Sequence, residues 1–72
     1  MTLTLAPAGK DMNVCRITGK DEVRSYLASL GFVEGASVRV VNELNGNVII
    51  HVKETRIALD KTLSNRIVVC ES

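Results

Sequence analysis

The sequence predicts a mainly β fold, a small barrel of about five short strands carrying one α-helix and a late helical turn. Two observations carry that reading. First, 46% of the 72 residues are hydrophobic, yet Tyr26 and Phe32 are the only aromatic side chains. The core must therefore be built from Val, Ile and Leu, whose stiff, branched side chains suit a pleated, half-buried surface. Second, apolar residues recur with period two from residue 38 to 52, interrupted by Asn45-Gly46. Asn-Gly is the strongest short hairpin signal, because both residues tolerate positive φ. Short strands in hairpin order close most simply into a barrel, which removes exposed sheet edges.

The elements follow in order. Leu3-Thr4-Leu5 runs into a turn over residues 7–10, punctuated by Pro7 and Gly9. Residues 12–17 read as a first core strand in which Ile17 falls out of phase with Met12 and Val14. A bulge near Arg16, or burial on both faces, accounts for that. Residues 21–30 form the one well-marked helix: Val23, Tyr26, Leu27 and Leu30 stand at i, i+3, i+4 and i+7. Asp21 and Glu22 favour the positive end of its dipole. The start lies at Thr18 or at Lys20-Asp21, with Thr18 the better capping side chain. Gly31 supplies a left-handed stop, and Phe32 can fold back on the helix end. Gly35 punctuates the next turn. Strands then span 37–41, 48–52 and 55–59, with a short turn at Lys53-Glu54. Asp60 caps a single helical turn through Leu63, and residues 66–70 close the chain as the last strand. There is no linker or repeat, so residues 1–72 make a single domain.

Several function classes fall away on bulk properties. A chain this short buries only about 60% of its unfolded surface, leaving little structure for a deep catalytic pocket. The net charge of +1 gives no basic patch for nucleic acid and no polybasic handle for membranes. No stretch approaches the roughly 18 apolar residues that span a bilayer, and residues 1–10 lack the pattern of a signal peptide. The expected compartment is the cytoplasm, where Cys15 and Cys70 would be reduced thiols.

The stretch Leu27-Ala-Ser-Leu30-Gly31-Phe32-Val33-Glu34-Gly35-Ala36-Ser37-Val38 resembles the signature of the FeoA family, in which a helix ends in Leu-Gly and the following turn ends in Gly. Thr55-Arg-Ile57-Ala58-Leu59, followed by Ile67-Val-Val69, resembles the closing pattern of that family. Order and spacing match over roughly residues 9–70. Glu34 stands where the family commonly has proline, and Glu54 lies where it commonly has glycine, so the two turns depart from the pattern. The resemblance implies an SH3-like barrel and a cytoplasmic accessory role in ferrous-iron uptake. It implies contact with the cytoplasmic part of a membrane transporter that contains a GTP-binding domain. The same module also occurs at the C-terminus of metal-dependent repressors, but no helix-turn-helix precedes it in this sequence.

The residues themselves name few chemical candidates. A serine mechanism needs a positioned base and a third group to orient it, and His51 is the only histidine. The expectation is that this is not an enzyme. His51 falls on the polar side of its strand and reads as an exposed position. Cys15 and Cys70 lie on the first and last strands, read first as small packing residues and second as a redox or metal pair. With His51 they are the only candidates for a transition metal, and none has paired-ligand spacing. That alternative makes the chain a metal-binding or metal-sensing domain; otherwise no cofactor is implied. The proline-peptide role of SH3 domains fails on the absence of tryptophan. What remains is a contact surface. Leu30, Phe32 and Val33 either pack into the barrel or join Tyr26 in an apolar patch for a partner. Gly31, Gly35, Asn45 and Gly46 read as structural turn residues. Apolar surface on a marginal barrel also allows weak self-association.

Overall fold

The computed structural model describes residues 1–71. Five antiparallel strands form one sheet: β1 (Asp11–Ile17), β2 (Ser37–Leu44), β3 (Asn47–Val52), β4 (Thr55–Asp60) and β5 (Ile67–Glu71), in the order β4-β3-β2-β1-β5. Helix α1 (Asp21–Ser29) connects β1 to β2, and the single turn α2 (Lys61–Ser64) connects β4 to β5. The mainly β, SH3-like reading stands, with one correction: the sheet is not closed, since β4 and β5 lie at its two ends without pairing. A short 3₁₀ turn at Leu3–Leu5 supplies the reason at one end. Thr2 bridges Val68, and the Val69 amide donates to the Met1 carbonyl at 2.8 Å, so the N-terminal segment occupies the outer side of β5.

The out-of-phase Ile17 is explained by a bulge. Asn13 and Val14 face Cys70 and Val69, but Arg16 faces Val68, leaving Cys15 as the extra residue. The slip returns Ile17 to a position opposite the buried Ile67. It also brings Cys15 beside Cys70, and the two are joined as a disulfide with their Cα atoms 5.8 Å apart. That corrects the expectation of two reduced thiols. Nearby, Lys10 Nζ donates to Glu71 Oε1 at 2.7 Å and ties the two strands together at the surface. The Lys10 hydrogen bond, and secondarily its charge, hold the Glu71 carboxyl below the ordinary carboxylate range. This tie is present above the ordinary carboxylate pKa and fades as pH falls through the lowered one.

One core lies on the inner face of the sheet, made of Met12, Val14, Val38, Val40, Val48, Ile50, Val52, Leu59, Ile67 and Val69. Leu27 of α1, Phe32 after it, and Leu3 and Ala6 of the N-terminal segment complete it. Aliphatic packing dominates, as the composition requires.

Helix α1 ends as the sequence predicts. The Phe32 amide donates to the Leu27 carbonyl at 3.0 Å, and the Gly31 amide to the Ala28 carbonyl at 3.0 Å. This pair of bonds, with Gly31 at φ 106°, is a Schellman end, and the buried Leu27 and Phe32 supply its apolar contact. Its start differs. Lys20 is the N-cap and makes no side-chain cap bond. Thr18 does not cap the helix; its hydroxyl and amide both bond to the Arg66 carbonyl, because β1 is still paired with β5 at that point. Asp60 does cap α2, its Oδ1 accepting from the Leu63 amide at 2.8 Å.

Two hairpins shape the sheet. Asn45-Gly46 (φ 53° and 80°) and Lys53-Glu54 (φ 50° and 63°) both adopt the left-handed pair of a type I′ turn. Glycine holds that conformation freely, whereas Glu54 is strained by about 1 kcal/mol. Glu54→Gly should therefore raise stability by about 0.5–1 kcal/mol in urea unfolding. The opposite sign is expected at Gly31, where an added Cβ would meet the Lys53 stem at 3.1 Å. Gly31→Ala should cost about 1–2 kcal/mol. The Cys15–Cys70 bond closes a loop across a sequence separation of 55. Its replacement by Cys15→Ser and Cys70→Ser should lower stability by about 2–4 kcal/mol, measured as a fall in thermal midpoint.

Candidate functional site

A shallow concavity lies between α1 and the turn that follows it. The Val23, Leu27 and Leu30 stripe points into the domain, so Arg24 and Ala28, four apart on the adjoining flank, are left facing outward. Across from them stand Ile17 at the end of β1 and the segment Phe32-Val33-Glu34. Together these residues line a shallow cleft of about 250 Å³. A neighbouring hollow of about 400 Å³ is lined by Asp21, Arg24, Ser25 and Ala28, so both share the Arg24–Ala28 flank. The cleft has apolar lining from Ile17, Ala28 and Val33, with a guanidinium on one wall and a carboxylate on the other. Arg24 also approaches Asp21 at 3.8 Å.

The sequence candidates separate here. Phe32 is 0% exposed, which corrects its place in an exposed patch: the Schellman end turns it inward onto Leu27. Leu30 packs, partly buried, against the core. Val33 is 40% exposed and Tyr26 52% exposed, both on the surface. They do not form one patch around the cleft. Tyr26 sits about 180° around the helix from the Arg24–Ala28 flank at 100° per residue, and it is absent from the lining. Sequence reasoning missed Ile17, Arg24, Ala28 and Glu34. The i, i+4 pair beside the apolar stripe was a usable signal for the helix side; Ile17 and Glu34 join only through tertiary packing.

The metal candidates are not gathered. Cys15 and Cys70 are bonded to each other, and a metal is held by thiolate, not by a disulfide sulfur. His51 is exposed on β3, which is separated from β1 by β2. It lies in a cross-strand row between Arg39 and Arg56. Arg39 pairs with Asp11 at 2.7 Å, but a row of guanidinium groups is a poor setting for a cation. Among the described residues no group of three His, Cys, Asp or Glu is placed to hold a metal ion. Among the described residues no helix is long and apolar enough to cross a membrane. Gly31, Gly35, Asn45 and Gly46 all have positive φ.

An open antiparallel sheet packed on one Schellman-capped helix, with a surface cleft beside that helix, defines a small SH3-like domain. The FeoA domain model matches residues 1–70, and the chain belongs to the FeoA family. It is similar to an iron uptake regulatory protein (FeoA), with 33% identity, a TM-score of 0.87, and coverage of 96% of this chain and 92% of that one. It is also similar to FeoA of Stenotrophomonas maltophilia, crystallised with zinc, at 30% identity and TM-score 0.85, covering 97% and 89%. That protein is described as a prokaryotic SH3 domain put forward as a ferrous-iron transport activating factor. The manganese-activated repressor ScaR shares the fold at 20% identity and TM-score 0.88, with 100% of this chain covering 35% of it. No curated protein sequence matches. The family is linked to an accessory role in ferrous-iron transport and is not a known enzyme family.

The cleft makes a two-sided forecast. Phe32→Ala should cost about 3–5 kcal/mol, because it empties a fully buried aromatic site. Val33→Glu should change stability by less than about 1 kcal/mol, because its side chain is at the surface. Urea unfolding of both variants checks the pair.

Proposed function

We propose that this chain is an accessory module of ferrous-iron uptake. It acts on the cytoplasmic side by binding the cytoplasmic part of a membrane transporter that contains a GTP-binding domain. The contact is made by the cleft beside α1, not by bond-making chemistry. The observation that carries the reading is Val33, 40% exposed at a partly apolar cleft while its neighbour Phe32 is wholly buried. An aliphatic side chain held on a rigid turn, with charges of both signs nearby, suits recognition of a protein surface. Family membership supplies the iron-uptake context, and a 33% identical relative is described as an iron uptake regulatory protein.

A cytoplasmic site bears on the cysteine pair, because a glutathione-buffered compartment keeps thiols reduced. In such a compartment the Cys15–Cys70 bond of this structure would be reduced, leaving two thiols packed across the β1–β5 pair. A metal-binding reading has support in the zinc complex of the Stenotrophomonas relative, but the three candidate ligands here do not converge. Titration of the reduced chain with ferrous iron and with zinc separates the two readings. Affinity tighter than about millimolar favours the metal role.

The docking reading is tested by calorimetry with the purified cytoplasmic region of the transporter. Wild type should bind. Val33→Glu should weaken binding by about tenfold or more. Leu44→Glu, at an exposed apolar residue on the far hairpin, should leave it unchanged. Absence of binding by wild type, or equal loss in both variants, overturns the proposal.

A further inference from the structure

We propose that the open edge of β4 pairs with the same edge of a second copy of this chain, in a two-fold antiparallel register centred on Ala58. This inference is independent of the transporter reading. It starts from the hairpins. In a two-residue turn the flanking residues are a hydrogen-bonded pair, so Val52 bonds Thr55, and by alternation Ile50 bonds Ile57 and Val48 bonds Leu59. The turn at Asn45-Gly46 directs Asn47 and Ile49 of β3 toward β2, which leaves Val48, Ile50 and Val52 for β4 and agrees with that assignment. The backbone groups of Arg56 and Ala58 therefore point away from β3. No strand lies on that side of β4, and among the described residues no backbone bond engages those groups. The edge at the other end is covered by the Thr2–Val68 bridge; this one is bare.

The side chains choose an occupant. Arg56, Ala58 and Asp60 share the outer face of β4, opposite in phase to Thr55, Ile57 and the buried Leu59. Among the described residues neither Arg56 nor Asp60 has an ion-pair partner, and Asp60 uses one carboxylate oxygen to cap α2. With Arg56, Ala58 and Asp60 bonding outward, five antiparallel registers set such residues opposite one another in a self-pair. Asp60 against Asp60 sets like charges together, and Ala58 against Asp60 leaves the anion unmatched. Arg56 against Arg56 sets like charges together, and Arg56 against Ala58 leaves the cation unmatched. Ala58 against Ala58 sets each Arg56 across from Asp60 of the other copy, and Ile57 across from Leu59. The smallest side chain then sits at the two-fold axis, where close approach is required. Arg56 alone would be a guard against edge pairing. Arg56 and Asp60, symmetric about Ala58, are a self-complementary pair. The result is one continuous sheet through two copies, held weakly because the paired segment is short.

Sedimentation equilibrium from about 10 µM to about 1 mM, the span where small interfaces form, tests this directly. Wild type should pass from monomer to dimer, and amide exchange at Arg56 and Ala58 should slow as concentration rises. Ala58→Pro removes an amide that β3 does not use, so it should leave the monomer folded by circular dichroism and abolish the dimer. Arg56→Asp sets like charges opposite each other and should weaken the dimer by about tenfold or more. It also keeps the test decisive if Ala58→Pro folds poorly. A monomer throughout the range, or a dimer that Arg56→Asp leaves unweakened, overturns the proposal.

Discussion

The packing of Phe32 against Leu27 is the contact on which the rest of this domain depends. Both side chains are fully buried, and both belong to the Schellman end of α1. The helix carries few other buried residues, so it is fastened to the sheet mainly at its C-terminal end. Burying one Phe and one Leu completely is worth about 3–6 kcal/mol of transfer free energy. That is a large share of what a domain of this size retains after its entropy cost. Gly31 makes the contact possible, because only its positive φ lets the chain reverse within one residue and turn Phe32 inward.

The same reversal produces the surface proposed to meet a partner. Once Phe32 turns in, Val33 must turn out, and Glu34 follows it to the wall of the cleft. Gly35 then donates its amide to the Val14 carbonyl at 2.8 Å, and Val14 donates to Ala36 at 2.9 Å. The exposed valine is thus pinned on both sides, by the helix end and by β1. A rigid apolar side chain loses little conformational freedom on binding. Core and candidate site are two faces of one turn.

The two ends of the sheet are treated differently. At β5 the first residues of the chain lie against the outer strand, with Leu3 buried as an anchor. At β4 the chain leaves directly into α2, capped by Asp60, and none of the described residues covers the outward groups of Arg56 and Ala58. The bulge at Cys15 belongs to the same account. It turns β1 so that Ile17 re-enters the core, and it places one cysteine against the other across the strand pair.

Much of this was legible in the residues. The period-two alternation, Asn45-Gly46, the Val23–Leu30 stripe, Gly31 as a stop and Asp60 as a cap are local signals, decided within a few residues of each other. The FeoA resemblance rests on the same local spacing. Tertiary structure alone decided the inward turn of Phe32, the separation of Tyr26 from Val33, the closure of one sheet edge and not the other, and the meeting of Cys15 with Cys70. Each depends on which distant segment occupies a neighbouring space. Thr18 shows the same limit, since its hydroxyl had an equally good local use as a cap until Arg66 arrived from the last connection. Local preference chooses conformation; only packing chooses the partner.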